Sequence, residues 1–193
     1  FEREMRLRIL NLVPHITIRS YLSDDQNDDI ASAGNAGAEV TRSHRFSEAN
    51  VLFYANSGSR VGRLIYAESS VLDVLHPYTT PKLDTLSPGE IVLGKNLAEA
   101  LNVKVGQALV ALASEDSGDR RFLPATMRLA AILDSGTEID SVFAMTAIAS
   151  SVDDTVKQNP SWAVTVADPL QAPRLAHGLR KQLGPQYWVS DWT

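Results

Sequence analysis

Apolar residues change their period several times along the chain, and each change marks an element. In FEREMRLRILNLV (1–13), Met5, Ile9, Leu12 and Val13 share one helical face opposite charged residues. That spacing predicts an amphipathic helix, which Pro14 ends because proline cannot donate a backbone hydrogen bond. It reads as an ordinary surface helix, or as the outer end of a helix continuing upstream from a membrane. HITIRSY (15–21) then alternates, with Ile16 and Ile18 facing one way and Thr17 and Arg19 the other, which predicts a half-buried strand. His15 is expected at its surface or sheet edge. The stretch 22–29 is an acidic turn, and DIASAGNAGAEV a helix weakened by Gly34 and Gly37.

Residues 50–58 and 60–69 are rich in β-branched and aromatic residues and predict a hairpin turning at Asn56–Ser59. EIVLG, KNLAEALNV and VGQALVALAS read as strand, short helix and strand, with Leu97, Ala98 and Leu101 on one helical face. Residues 114–126 are turn-rich, 127–136 form a strand, and SVFAMTAIA begins another. Thr146 to Lys157 read as helical. At the C-terminal end WAVTVAD (162–168) is a strand. Pro173 suits a first helical turn. Ala172, Leu175, Ala176, Leu179 and Leu183 then follow helical spacing, Gly184 stops the helix, and YWVSDW is the last strand.

The pattern as a whole predicts an α+β fold. Strands from both chain ends (1–69 and 158–193) form one subdomain, and 70–157 a second, β-rich, inserted one.

Composition narrows the function classes. The 193 residues are 44% hydrophobic and 21% charged, with a net charge of -5, which disfavours nucleic acid as a partner. Without a cysteine the chain offers no disulfide, thiolate metal site or cysteine nucleophile. No apolar run reaches the ~20 residues needed to cross a bilayer.

Candidate chemistry is sparse. GEIVLGKN (89–96) resembles a phosphate-binding loop with Asn96 where Ser or Thr should stand. However, Ile, Val and Leu occupy what should be a tight turn, and Glu90 would face the phosphate, so a strand followed by a helix is the better reading. His15, His44, His76 and His177 lack zinc spacing. Asp24, Asp25, Asp28 and Asp29 lack the Gly and Glu of a calcium loop. There is no nucleophile-elbow motif. Asp134, Glu138 and Asp140 surround Gly136 in what reads as a polar turn. No cofactor, metal or catalytic residue is expected. Binding is the better-supported activity. In SEDSGDRRFLPATMR (114–128), Arg120 and Arg121 precede Phe122, Leu123 and Pro124, and Arg plus aromatic is a composition common at interface hot spots. The competing reading folds Phe122 and Leu123 back onto the core.

Several stretches resemble one family in its own order. FEREMRLRILNLVPHITI is similar to the segment after the first membrane helix of lipoprotein-releasing ABC permeases of the LolC/LolE type. GEIVLGKNLAEALNVKVGQ, LDSGTEIDSVFAM and the terminal VSDWT resemble later parts of the same domain. Related macrolide-exporter (MacB-type) permeases share its fold. The resemblance implies a non-catalytic periplasmic domain of an inner-membrane permease, with a ferredoxin-like subdomain from both chain ends and a β-rich insertion. It also implies a second permease subunit, a cytoplasmic ATPase, a periplasmic lipoprotein chaperone and lipoprotein cargo as partners, with flanking helices in the membrane. Arg120, Arg121, Phe122, Leu123, Pro124 and Arg128 would then form the chaperone-binding loop and its basic pad. Glu115-Asp116-Ser117-Gly118 stands where the family has Thr-Pro-x-Gly, Ala67-Glu68-Ser69-Ser70 where it often has Gly-x-Asp-Pro, and Gln107 where it has Asp. A drug, peptide or cell-division type permease domain, and a soluble hydrolase, are the alternatives.

Overall fold

The computed structural model describes residues 14–21, 39–114, 122–148 and 161–192. In chain order the strands are β1 (Ile16–Ser20), β2 (Val40–Ala55), β3 (Gly58–Ala67), β4 (Thr79–Thr80), β5 (Glu90–Gly94), β6 (Ala108–Ser114), β7 (Phe122–Leu133), β8 (Phe143–Ala147), β9 (Ser161–Val166) and β10 (Tyr187–Asp191). The helices are α1 (Leu72–Leu75), α2 (Lys95–Leu101) and α3 (Ala172–Leu183). Backbone contacts group 1–47 with 152–193 as one unit and 48–151 as another.

The outer unit is an antiparallel sheet in the order β10-β1-β9-β2, using the first half of β2. Strand alternation sends Ile16, Ile18, Val164, Val166 and Val189 to one face. There they bury against Ala172, Ala176, Leu179 and Leu183 of α3. The helix begins as its sequence predicts, with a proline in its first turn, and Gly184 closes it at φ 83°.

His15 corrects the expectation of a surface or sheet-edge residue, since β1 lies between β10 and β9. It is buried, and its Nδ1 accepts a hydrogen bond from the Val166 amide at 3.1 Å. A buried ring nitrogen that satisfies a neighbouring strand's N–H removes the cost of leaving that donor unpaired.

The middle unit closes on itself. The second half of β2 pairs β3, β3 pairs β8, β8 pairs β5, β5 pairs β7, β7 pairs β6, and β6 returns to β2. This is a barrel of those strands, with β4 appended to β7. Closure leaves no open edge around the ring. Val51, Phe53, Leu64, Ile91, Leu93, Leu109, Met127 and Leu129 fill it, joined by Leu97, Ala98 and Leu101 from α2. Asn102 ends α2 at φ 50°, the left-handed conformation that asparagine tolerates better than most residues.

The β2–β3 hairpin, assigned from sequence to the subdomain of the chain ends, pairs from Glu48 onward inside the barrel. The reason is the length of β2. It starts at Val40, well before the expected strand, and serves one sheet with its first half and the barrel with its second. The helix expected from Thr146 is also corrected at its start, because Thr146 and Ala147 finish β8 beside β3. The expected helices at 1–13 and 29–40 and the acidic turn at 22–29 lie outside the described residues, apart from Glu39 and Val40.

Candidate functional site: the β6–β7 arm

The strands β6 and β7 pair antiparallel from Ala108↔Arg128 to Ser114↔Phe122. β5, the neighbour on the other side of β7, begins only opposite Arg128. Residues 122–127 therefore overhang the start of β5 by about 20 Å at ~3.3 Å per residue. Along this overhang β6 is the only partner of β7 among the described residues. Pro124, Ala125 and Thr126 are exposed in succession, whereas a strand packed on one face alternates. Burial resumes at Met127, whose side chain enters the barrel core.

The sequence-derived site residues fall out as follows. Phe122 and Leu123 open β7, opposite Ser114 and Ala113. Pro124 is exposed on the overhang, opposite Leu112. Proline has no N–H to give a ladder and is confined to places where none is needed, such as a strand edge. Arg120 and Arg121 lie outside the described residues. Arg128 stands at the base of the arm, 63% exposed, and its guanidinium pairs with Glu90 across the β5–β7 ladder. The Glu90 carboxylate accepts from the Ser87 amide at 3.0 Å. That hydrogen bond, followed by Arg128, holds its pKa below the usual carboxylate value, against the opposing effect of burial. Arg128 thus braces the root of the arm while still presenting most of its surface to solvent.

The base of β7 is pinned at its far end by a turn that sequence reasoning treated only as polar. The Asp140 carboxylate is buried and accepts from the Ser135 amide, the Ser135 hydroxyl at 2.7 Å and the Gly136 amide at 3.0 Å. Thr137 caps the short 3-10 turn 138–141 by accepting from the Ile139 amide. Against this turn sits Gly94. A Cβ built there would lie 2.3 Å from the Asp140 carbonyl oxygen. A glycine at 94 was legible in the sequence; the backbone that requires it was not.

The phosphate-loop resemblance resolves into the same packing. Glu90–Gly94 is an extended strand with Ile91, Val92 and Leu93 buried, and Gly94 precedes the helix. Lys95 donates to Asp134 at 2.8 Å, and that carboxylate holds its ammonium above its ordinary pKa. Asn96 donates to Ser141. An open groove of about 450 Å³ passes Lys95 and Asp134, lined also by Glu99, Asn102, Lys104 and Ile132. A strand's amides are engaged in ladders, so no cradle of convergent N–H groups exists there. Among the described residues no three His, Asp or Glu side chains are grouped to hold a metal.

No family model matches the chain. The chain is 27% identical, over its whole length, to the lipoprotein-releasing system transmembrane protein LolC of Neisseria meningitidis serogroup B, and spans about half the length of that relative. The periplasmic region of MacB from Actinobacillus actinomycetemcomitans superposes with a TM-score of 0.54 at 9% identity, covering 97% of this chain and 94% of that one. The extracellular domain of the ABC-type transporter YknZ gives a TM-score of 0.46 at 14% identity, covering 91% and 100%. The fold is therefore the mixed α and β fold of the MacB periplasmic region. The chain is thus similar over its whole length to LolC and has the fold of the MacB periplasmic region. Among the described residues no helix is long and apolar enough to cross a membrane.

Proposed function

We propose that this domain serves a lipoprotein-releasing permease of the inner membrane, and that the β6–β7 arm docks a periplasmic lipoprotein chaperone. The similarity to LolC along the whole chain supports the choice of system. The observation that carries the docking role is the overhang of β7 past the start of β5, with Pro124 to Thr126 exposed along it. The strand order β10-β1-β9-β2 supports reading the outer unit as ferredoxin-like, because the strands contributed in chain order take the positions 4-1-3-2.

In this reading no covalent step occurs on the domain. ATP hydrolysis by a separate cytoplasmic subunit moves the membrane helices of two paired permease subunits. Their periplasmic domains follow, and the released lipoprotein passes to the chaperone held at the arm. Arg120, Arg121, Phe122, Leu123, Pro124 and Arg128 form the docking surface. Strand residues held in the ladder of a closed barrel lose little conformational entropy on binding, which favours affinity.

The test is capture. Phe122→Ala combined with Leu123→Ala abolishes pull-down of the lipoprotein chaperone by the permease and leaves the circular dichroism melt unchanged. Capture at the wild-type level removes the docking role. Loss of capture together with a melt lowered by ~3–5 kcal/mol identifies core side chains instead. The MacB-like fold supports a second reading, a permease domain for drug or peptide export. That reading predicts normal lipoprotein release when the gene is silenced.

A further inference from the structure

The two ends of the outer unit differ. At one end Ile16 pairs with both Asp191 and Val164, so the start of β1, the end of β10 and the end of β9 lie together. At the other, the Tyr21 amide donates to the Gln186 carbonyl, beyond the C-terminus of α3. The link from β9 to α3 belongs to the first end, and it carries Leu170, which is 72% exposed. That exposure is not slack in the loop. The Asp168 carboxylate accepts from the Leu170 amide at 3.0 Å, and Pro169 is tied by its carbonyl to the Trp192 indole N–H at 2.8 Å. A rigid turn thus holds a leucine outward beside a tryptophan.

We propose that the Asp168–Gln171 turn is a bilayer contact, with Leu170 entering the boundary between headgroups and hydrocarbon and Trp192 beside it. The proposal rests on the permease reading, in which the chain ends run into membrane helices. The relative similar to this chain is named as a transmembrane protein, and about half of it lies outside the similar region. If the segments that lead into Pro14 and out of Trp192 run to the membrane, the edge carrying those two residues faces lipid, and among the described residues Leu170 is the large apolar side chain that this edge exposes. An indole with an apolar body and a hydrogen-bonded N–H suits that depth. Charge argues against an attraction to anionic lipid. Among the described residues Glu39 and Asp168 are exposed at the same edge, and Arg174 is the exposed cation in the first turn of α3. The contact is apolar and indifferent to headgroup charge.

The experiment uses the full-length permease with its ATPase in nanodiscs, in a cysteine-free background. Single cysteines replace Leu170, Pro14 and Lys181 in turn and carry a small fluorophore, and the lipid carries a quencher at headgroup depth. Lys181 is the internal control, about 15 Å along α3 at ~1.5 Å per residue. Quenching by about twofold is expected at 170 and 14, none at 181, and the same in zwitterionic as in anionic lipid, as for burial of an apolar side chain. Quenching at 14 without quenching at 170 overturns this contact and leaves the permease reading intact. Absence at both positions overturns the permease reading itself. Quenching at 181, or only in anionic lipid, overturns the oriented apolar contact.

Discussion

Replacing Gly94 by alanine adds one methyl group where the structure has no room for it. The added Cβ would lie 2.3 Å from the Asp140 carbonyl oxygen and 2.7 Å from its carbonyl carbon and Cα. These are backbone atoms and cannot swing aside as a side-chain end does. The backbone at Gly94, φ -63° and ψ 147°, is one that alanine adopts freely, so the whole effect is steric. Ordinary contact needs about 1 Å more separation, which means moving the 138–141 turn away from the junction of β5 and α2. Overpacking of this kind costs ~1–3 kcal/mol. The same movement strains the Asp140 hydrogen bonds to Ser135 and Gly136, which places the loss at the upper end of that range. A loss of about 3 kcal/mol is expected, a large share of the ~5–15 kcal/mol that holds a typical domain folded. The assay is urea unfolding followed by far-ultraviolet circular dichroism. Tryptophan fluorescence would miss the event, because Trp162, Trp188 and Trp192 all belong to the outer unit. A Gly94→Ala midpoint corresponding to less than about 0.5 kcal/mol of change would refute the steric account.

Other changes give opposite or conditional effects. Gly178 sits within α3, and a Cβ there meets nothing, so Gly178→Ala should raise stability by ~0.5–1 kcal/mol, read from the tryptophan fluorescence midpoint. Asp140→Asn replaces one acceptor oxygen by an NH₂ aimed at donors, and should cost ~2–3 kcal/mol in the same dichroism assay. His44 is lowered to about 4 by burial and then by Arg42, while its unfolded value is about 6.5. The unfolded chain therefore binds the proton first. The stability of the outer unit should be full above pH ~6.5 and fall by ~2 kcal/mol as pH drops toward about 4. His44→Leu should flatten that slope, and since the buried Nδ1 has no hydrogen-bond partner among the described residues, should cost little at pH 7.

How much of this was legible depended on whether the signal was local. α3 could be read closely because its apolar spacing, Pro173 and Gly184 are all features of one short stretch. The β2–β3 hairpin was equally clear from residues 50–69, and the structure turns the chain between Ala55 and Gly58. The early start of β2 was hidden because Thr41, Arg42, Ser43 and Arg45 are polar and exposed or half-buried, and only pairing with β9 makes that stretch a strand. Barrel closure was invisible for the same reason. It depends on β6 finding both β2 and β7, and no single segment records two partners. At the arm the sequence marked the right stretch by composition. It set the start of the following strand at 127, whereas β7 begins at Phe122, because Pro124 reads as a break. The pairing of Arg128 with Glu90 could not be seen, since the two meet only through the β5–β7 register.

The resemblance to a nucleotide loop illustrates how one sequence pattern can arise from two physical demands. In a phosphate loop glycines are required so that successive amides converge on an anion. Here Gly89 takes φ 83° to enter the strand, and Gly94 yields space to the Asp140 backbone. The lysine follows because α2 opens at the solvent, where Lys95 can reach Asp134. The two explanations differ over the residues between the glycines. A loop needs them small and turned, while a barrel stave needs them apolar and extended. Ile91, Val92 and Leu93 are buried in β5, which settles the question for packing. It follows that Lys95→Ala should lose only an exposed ion pair and leave the dichroism melt unchanged, and that the domain should take up no ATP in a calorimetric titration. ATP binding by the domain that Lys95→Ala removes with the melt unchanged would show that this lysine does more than meet a neighbouring carboxylate.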